Sequence, residues 1–179
     1  MEDIINLSII MIGNWNTKIF TPPFIMNELL VLKKDEELQI GFNNDLQPVY
    51  KYKQVHFIPT ERAFEIRIEK ISAESINIAN KAALTLISIL PYTPNLIVGF
   101  NYKMNTTYDF NKINIPPYSG NYDLSEIKLS KNESKFILNI ILNSGVTKTI
   151  TYNFHYSNLS FIKDNSIEEH LNYLRANGN

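Results

Sequence analysis

Apolar and polar residues alternate with a period of two along much of the chain, a pattern typical of β-strands that bury one face. The clearest example is FEIRIEK, in which Phe64, Ile66 and Ile68 alternate with charged residues. Residues 4–13 are almost wholly apolar, which predicts a strand buried on both faces. The remaining predicted strands are at 38–42, 49–58, 95–110, 123–129, 135–142 and 146–156.

Three segments change to helical spacing, with apolar residues three and four positions apart. The first is 22–32, where Thr21 can cap the helix. The second runs from Ser72 to the residue before Pro91. The third begins at Ser166, which forms a capping box with the glutamate three residues later.

The order of these elements predicts an α+β fold, with a mostly antiparallel sheet and helices on one face. Residues 62–110 form a strand–helix–strand unit with a right-handed crossover. The last three strands form a meander, which a terminal helix follows. We expect residues 1–179 to be one domain, and 111–122, with two prolines and a glycine, is the candidate subdomain boundary.

The turn of the last hairpin predicts a strand register. A three-residue loop at 143–145, with Gly145 left-handed, pairs Leu142 with Val146 and Leu138 with Ile150. A two-residue loop sets apolar side chains against polar ones. The three-residue loop is therefore the prediction.

The tripeptide Gly-Phe-Asn occurs twice, at 41–43 and 99–101, in a chain that has only 6 glycines. An internal repeat predicts a long helix after residue 110, as after residue 70, but the sequence there is typical of loop and strand. We therefore interpret each glycine as a local interruption of a strand, at a bulge or a close backbone approach. A ligand-facing backbone is the functional alternative.

The amino-acid composition mainly excludes or disfavours certain classes of function. Apolar residues make up 44% and charged residues 20%, which fits a packed domain and not a disordered one. The net charge of −1 and the small number of arginines disfavour binding to nucleic acid or to an anionic membrane. The absence of cysteine excludes disulfides and thiolate chemistry.

The start of the chain, MEDIINLSIIMIG, has no basic segment and no small-residue cleavage site, so we expect no secretory signal. Its apolar run is also too short to span a bilayer. We therefore expect a cytoplasmic protein that does not bind membranes. The heavy use of Ile, Asn and Lys suggests an AT-rich, bacterial genome.

Candidate ligand-binding residues lie on the last predicted strand. Thr149, Thr151, Asn153 and His155 alternate with apolar residues and therefore share one strand face. Such a polar row can line a cleft, in which histidine is the acid–base group. The alternative is the solvent-exposed face of a sheet.

Neither a metal site nor a cofactor is expected. The three histidines, His56, His155 and His170, share no metal-ligand spacing. His170 follows two glutamates, and we interpret it as part of a solvent-exposed helix face. The sequence contains no phosphate-binding glycine loop, no nucleophile elbow and no dinucleotide fingerprint.

The central helix has more apolar surface than one contact with a sheet requires. Its second apolar face includes Ile78, Ala82 and Ile89. We expect other helices to cover part of this face, and a protein partner or a second copy of the chain to cover the rest. Trp15, the only tryptophan, is interpreted first as the anchor of a core turn, with a partner contact as the alternative.

These patterns favour a small, non-enzymatic binding protein that acts as a subunit or accessory factor of a larger assembly. Defence-associated and toxin-neutralising proteins fall in this class, although no residue selects them. The alternative is an enzyme or small-ligand binder with its site around His155. Nucleic-acid binding is a weaker alternative, because in VYKYK the strand pleat separates the tyrosines from the lysines.

Overall fold

The computed structural model describes residues 4–94, 96–107, 126–143 and 148–177. In these residues the chain forms one nine-stranded sheet, two α-helices and a short π-helix. The strands are β1 (Ile4–Ile12), β2 (Gln39–Phe42), β3 (Pro48–Tyr52), β4 (Val55–Pro59), β5 (Ala63–Ile68), β6 (Ile97–Asn105), β7 (Glu126–Asn132), β8 (Ile137–Asn143) and β9 (Thr149–Tyr156). The helices are α1 (Ala73–Ile89), α2 (Ser166–Asn177) and the π-helix Phe24–Leu29.

The strand order across the sheet is β2-β3-β4-β5-β1-β6-β9-β8-β7, and neighbouring strands are antiparallel. β1 lies between β5 and β6, so β5, α1 and β6 form a strand–helix–strand unit with another strand inserted. β7, β8 and β9 form a meander, which α2 follows. The predicted α+β class, the unit at 62–110, the C-terminal meander and the terminal helix are confirmed.

Both α-helices pack on one face of the sheet, here called the covered face. Directly paired residues share a face, so the strand register places every Phe and Tyr of the described strands on the covered face. The central row of this face is Tyr50, Phe57, Ile66, Ile9, Phe100, Phe154 and Leu138. All of these residues are buried, so the row forms the middle of the core.

Local sequence explains where α1 begins and which of its sides are buried. The Ser72 hydroxyl accepts from the Ser75 N–H at 3.1 Å, and the Ser75 hydroxyl accepts from the Ser72 N–H at 2.9 Å. This capping box satisfies N–H groups that a helix start leaves unpaired. Asn80 Nδ2 donates to Glu168 Oε2 at 3.1 Å and links α1 to α2. The buried residues of α1 are Ser75, Ile76, Ala79, Asn80, Ala82, Ala83 and Leu86, so the chain itself covers much of its apolar surface.

The helix predicted at 22–32 is shorter than expected and has a different type. The Leu30 N–H donates to the Ile25 C=O at 3.0 Å, a span of five residues that is characteristic of a π-helix. Val31 then adopts a φ of 51°, a left-handed conformation that ends the helix. Ile25 and Leu29 still reach the core, as their helical spacing predicts.

The predicted register of the last hairpin is wrong by four residues. Leu138 lies opposite Phe154 rather than Ile150, and Leu142 lies opposite Ile150 rather than Val146. Gly145 lies outside the described residues, and the last described pair of the hairpin is Asn143 opposite Thr149. An even shift keeps every side chain on its predicted face. Alternation alone therefore could not distinguish the two registers.

The candidate subdomain boundary at 111–122 lies outside the described residues. β6, which precedes it, pairs directly with β9, which follows it, within the same sheet. No helix in the described part of the chain is long and apolar enough to cross a membrane.

Candidate functional site

The face of the sheet opposite the α-helices, here called the open face, carries the predicted ligand-binding residues. One polar row crosses it, and each strand contributes one residue. From β2 to β7 the row is Gln39, Lys51, His56, Arg67, Ser8, Asn101, Asn153, Asn139 and Ser130. Alternation places each residue on the open face, and the register brings the residues into line.

The C-terminal half of this row is a chain of uncharged hydrogen bonds, here called the amide ladder (Ser130, Asn139, Asn153 and Asn101). Ser130 Oγ donates to Asn139 Oδ1 at 2.7 Å, and Asn139 Nδ2 donates to Asn153 Oδ1 at 3.3 Å. Asn153 Nδ2 donates in turn to Asn101 Oδ1 at 2.6 Å. The two central asparagines each use one donor and one acceptor within the ladder.

Gly99 makes room for the amide ladder. A Cβ at this position would lie 2.8 Å from Asn153 Nδ2, which is too close for an undisturbed contact. The Asn153 carboxamide therefore lies over the glycine while it bonds to Asn101. This close approach is the local reason for a glycine in the middle of β6.

The first Gly-Phe-Asn word has a different environment from the second. A Cβ on Gly41 would have Val49 O, at 4.0 Å, as its nearest neighbour. Phe42 is exposed at the sheet edge, whereas Phe100 is buried in the core. The two words thus occupy different positions in the sheet. Gly99 fits the interpretation of a close approach, whereas Gly41 shows neither a bulge nor a close approach.

The N-terminal half of the open face is charged. Lys51 Nζ lies 2.5 Å from Glu69 Oε2, and His56 Nε2 lies 3.4 Å from the same oxygen. The hydrogen bonds from Lys51 and then His56 lower the pKa of Glu69 below its ordinary value. Arg67 forms two hydrogen bonds to Glu65 of its own strand, at 2.8 and 2.9 Å. These pairs are partly exposed, so solvent screens them and each contributes little to stability.

The four predicted ligand-binding residues lie together on β9, with their side chains on the open face. Asn153 belongs to the amide ladder, and His155 lies opposite Gly99 on β6. Thr151 is half-buried, and Thr149 is buried. The described part of the chain contains no cluster of three or more His, Cys, Asp or Glu side chains that could hold a metal. Ligand binding along this row stays a prediction.

Two cavities on the sheet are not lined by the predicted ligand-binding residues. One, of about 350 Å³, lies at the start of β1 and the end of β5 and includes Glu69 and Lys70. The other, of about 410 Å³, lies near Pro48 and Pro59 and includes Arg62. His155 and the other predicted ligand-binding residues therefore line neither of these two cavities.

The open face of the described strands carries no Phe, Tyr or Trp. Single-stranded nucleic acids gain much of their affinity by stacking bases on aromatic side chains. Tyr50 and Tyr52 lie on the covered face and are buried, which leaves Lys51 on the open face without a stacking partner in the described strands. Of the lysines and arginines in the described strands, only Lys131 of β7 shares a face with the aromatic side chains; the others lie on the open face.

The structure brings two predicted partner contacts, Trp15 and Ile89, into one groove. This groove, here called the Tyr92 groove, has a volume of about 290 Å³. Its lining residues are Asn14, Trp15, Asn16, Ile19, Ile89, Leu90, Pro91, Tyr92, Thr93 and Pro94. Tyr92 is 93% exposed and Ile89 is 36% exposed, so the groove has an apolar rim that solvent reaches.

Backbone contacts hold the loop of the Tyr92 groove in place. The Asn14 N–H donates to the Pro94 C=O at 3.2 Å, which ties the loop to the end of β1. The Thr93 hydroxyl donates to the Leu90 C=O at 2.9 Å. A Cβ on Gly13 would lie 2.9 Å from Thr93 Cγ2, so this glycine permits the close approach. Contacts within the chain thus fix the shape of the groove.

Trp15 and Ala82 belong to the core of the chain. The Trp15 indole N–H donates to the Met11 C=O at 2.9 Å, and its ring packs in a cluster of phenylalanines. Ala82 is buried in α1. The chain itself covers both side chains, which agrees with the interpretation of Trp15 as the anchor of a core turn. A partner contact through Trp15 or Ala82 stays a prediction. Ile78 is half-buried and Ile89 is partly exposed, so a partner contact at these residues stays a prediction.

The interpretation of His170 as a solvent-exposed residue is wrong. Its side chain is 2% exposed and lies between two tyrosines of the covered face. Tyr102 Oη is 2.9 Å from Nδ1, and Tyr156 Oη is 2.6 Å from Nε2. Phe154 stacks on the imidazole with a centroid distance of 4.0 Å. A neutral imidazole has one N–H and one lone pair, so one hydroxyl donates to the ring and the other accepts from it.

Burial keeps this His170 network uncharged. Removal from water lowers the pKa of His170 to about 3. Burial also raises the pKa of Tyr156 to about 12, and it raises the pKa of Tyr102 well above its ordinary value. Because all three groups are neutral near pH 7, the network suits a structural role in the core.

The position of His170 in the helical repeat could have predicted that its side chain is buried. The residue lies three positions after Ile167 and four before Leu174, within the apolar stripe of α2. The charges of Glu168 and Glu169 led to the prediction that His170 is exposed. Adjacent residues on a helix point in different directions, however, so these charges do not predict the exposure of His170. Tyr92 offered no comparable signal, since the exposure of a loop residue depends on the tertiary fold.

No protein-family model matches the chain. Comparison with curated proteins also finds no match. The functional interpretation therefore depends on the geometry of the open face and of the Tyr92 groove.

Proposed function

We propose that this chain is a non-enzymatic, cytoplasmic binding protein that acts as a subunit or accessory factor of a larger protein assembly. The Tyr92 groove is its contact surface for the partner. The observation that carries the proposal is a fully exposed tyrosine beside a preformed apolar groove that also exposes Ile89. Tyrosine and tryptophan are enriched among the residues that dominate binding energies, where an aromatic anchor meets a pocket.

The chain's own contacts explain why the groove suits a partner. Gly13 and the Asn14–Pro94 hydrogen bond fix the loop, so little conformational freedom remains to be lost on binding. Tyr92 itself adds an amphipathic ring with few rotatable bonds. A partner side chain that fills the groove removes Ile89 and Tyr92 from water together.

The open face gives less support to an enzyme or small-ligand binder. The asparagines of the amide ladder already bond to one another, so a ligand must compete with these bonds. His155 lies opposite Gly99 and Ile137, neither of which can orient or activate an imidazole. We infer that the polar residues of β9, including Asn153 and His155, chiefly form a solvent-exposed surface of the sheet.

Site-specific crosslinking in the source cells tests the proposal. The photoreactive amino acid p-benzoylphenylalanine replaces Tyr92, and the crosslinked products are identified by mass spectrometry. We expect a discrete adduct, because a partner seated in the groove lies within reach of the exposed ring. An adduct of twice the mass of the chain identifies a second copy as the partner.

Leu129 supplies a matched control position. It is an exposed apolar residue on β7, at the far end of the sheet from α1. The same crosslinker at Leu129 should give no comparable adduct, and Ile89→Glu should abolish the Tyr92 adduct in a chain that remains folded. Identical adducts at both positions, or no adduct at Tyr92, would overturn the proposal.

A further inference from the structure

The two outer strands of the sheet differ in charge. β7 carries Glu126, Lys128 and Lys131, and charged side chains protect an edge strand against unintended pairing. β2, with the sequence Gln-Ile-Gly-Phe, carries no charge and no proline, and all four of its residues are exposed. In the described residues no strand pairs with its outer side.

The hairpin geometry shows which backbone groups of β2 face outward. In an antiparallel pair, residues that bond across the ladder alternate with residues whose N–H and C=O groups point away. The Asn43 N–H donates to the Gln47 C=O at 3.0 Å, so Asn43, and every second residue before it, bonds to β3. Ile40 and Phe42 therefore direct their N–H and C=O groups outward.

The side chains of the same two residues extend the covered face beyond its helices. Ile40 lies opposite Tyr50 and shares the face of that buried ring. Ile40 is nevertheless 49% exposed and Phe42 is 70% exposed. Free backbone groups and uncovered apolar side chains thus coincide at one edge, which is the arrangement that an added strand completes.

Gly41 is a second, independent feature of this edge. Its φ is not positive, and an added Cβ would meet nothing closer than Val49 O at 4.0 Å. Glycine weakens a strand interior, and no contact in the described chain requires it here. A side chain at this position would project from the open face, and the glycine leaves that face flat next to an added strand.

We propose that β2 binds an extended segment of another protein, which adds to the sheet as a further strand. The segment has alternating apolar residues that cover Ile40 and Phe42, and it carries Lys or Arg at its ends. The exposed carboxylates of Asp35 and Glu37 precede β2, and that of Asp45 follows it, so both ends of the strand offer acidic groups. This site is separate from the Tyr92 groove, and either one can fail without the other.

The same charges disfavour a second copy of the chain at this edge. A two-fold antiparallel arrangement that sets Ile40 of one copy against Phe42 of the other brings Glu37 of each copy toward Asp45 of the other. Like charges that face each other across strands are destabilising. These acidic groups would repel each other between two copies of the chain, but they attract the basic ends of a partner segment.

Hydrogen exchange with two synthetic peptides tests this proposal. The probes are KKVTVTVKK and its acidic counterpart EEVTVTVEE, each added to the full chain. We expect the basic peptide to slow exchange of the Ile40 and Phe42 amides, and to bind at least about tenfold more tightly than the acidic one. Slow exchange should spread no further than the neighbouring residues of β2 and β3.

Two substitutions separate edge pairing from other contacts. Phe42→Pro removes an outward N–H while it leaves the ladder to β3 intact, so it should abolish the protection of Ile40 in a folded chain. Phe42→Lys should weaken binding of the basic peptide, because the new positive charge repels it. Phe42→Leu should bind this peptide as tightly as the unaltered chain does. The proposal is overturned if neither peptide protects these amides, or if both bind equally. It is also overturned if the amides become protected merely as the protein concentration rises, because a second copy then occupies the edge.

Discussion

A histidine of α2 packs against the covered face of the sheet, and His155 lies on the open face, but the two settings differ in access to water. On the covered face, His170 is buried between Tyr102 and Tyr156 and stacks on Phe154. On the open face, His155 is half-buried in a strand whose asparagine bonds to neighbouring asparagines. Both networks form hydrogen bonds, yet only the first is sealed by helices.

This difference decides how much each network contributes to stability. A polar group on the covered face cannot form a replacement hydrogen bond with water. Loss of its partner therefore lowers the free energy of unfolding by the full desolvation cost of an unpaired buried group. A carboxamide on the open face can exchange its partner for water at small cost. We therefore expect substitutions on the two faces to differ severalfold in their effect on the free energy of unfolding.

Substitution of His170 should have the largest effect. His170→Ala leaves a cavity beneath Phe154 and removes the hydrogen-bond partner of two buried hydroxyls, so we expect a loss of about 3–5 kcal/mol in the free energy of unfolding. His155→Ala on the open face is the control and should cost less than about 1 kcal/mol. Urea denaturation of both variants measures the difference.

Equal costs for the two histidine substitutions would contradict this contrast between the faces. A folded, fully stable His170→Ala chain would show that the tyrosines find water or other partners. Loss of folding by His155→Ala would show that the open face is sealed in the native protein.

Acid should destabilise the chain through His170. Its pKa is about 3 in the folded chain against an ordinary value of 6.5, so the unfolded chain binds the proton more readily. Stability is therefore fully present above about pH 6.5 and falls as the pH drops toward 3, by about 3 kcal/mol at about pH 4. Denaturation of the unaltered chain over this range measures the slope.

The substitution His170→Gln isolates this contribution from that of the carboxylates. Glutamine keeps a hydrogen-bonding group but cannot titrate, so the variant should be less stable near pH 7 and should show a shallower decline in acid. Carboxylates with lowered pKa values, such as Glu69 and Glu133, contribute to the decline equally in both chains. Parallel pH profiles for the two chains would exclude His170 as the source.

Alanine substitutions at the two glycines of the repeated tripeptide should give the smallest difference in the free energy of unfolding. Gly99→Ala should cost about 1 kcal/mol, because the new Cβ displaces the Asn153 carboxamide from Asn101. Gly41→Ala meets no close neighbour and should stabilise the chain by about 0.5 kcal/mol through reduced freedom of the unfolded state. Thermal unfolding compares the two variants.

A further substitution identifies the cause of the Gly99 effect. In an Asn153→Ala background the carboxamide is gone, so Gly99→Ala should no longer destabilise the chain. A persistent cost in that background would place the constraint in the backbone of β6 instead of in the amide ladder.

Short-range patterns predicted much of the fold. Alternation assigned Asn153 and His155 to one strand face, and the helical spacing that ends at Pro91 predicted α1, whose start the structure confirms at the Ser72 capping box. These signals are local, since a strand repeats every two residues and a helix every 3.6. The same logic predicted the meander, the terminal helix and the strand–helix–strand unit.

Tertiary structure decided which face was covered, how the strands paired and which side chains stayed exposed. Alternation cannot tell Leu138 opposite Ile150 from Leu138 opposite Phe154, because an even shift preserves both faces. Neighbouring glutamates made His170 look exposed, but the packing of α2 on the sheet buries it. Exposure of Tyr92 and of Phe42 likewise depends on where the helices stop. Local periodicity thus determines the elements and their faces, whereas contacts between residues distant in sequence determine which of those faces a partner can reach.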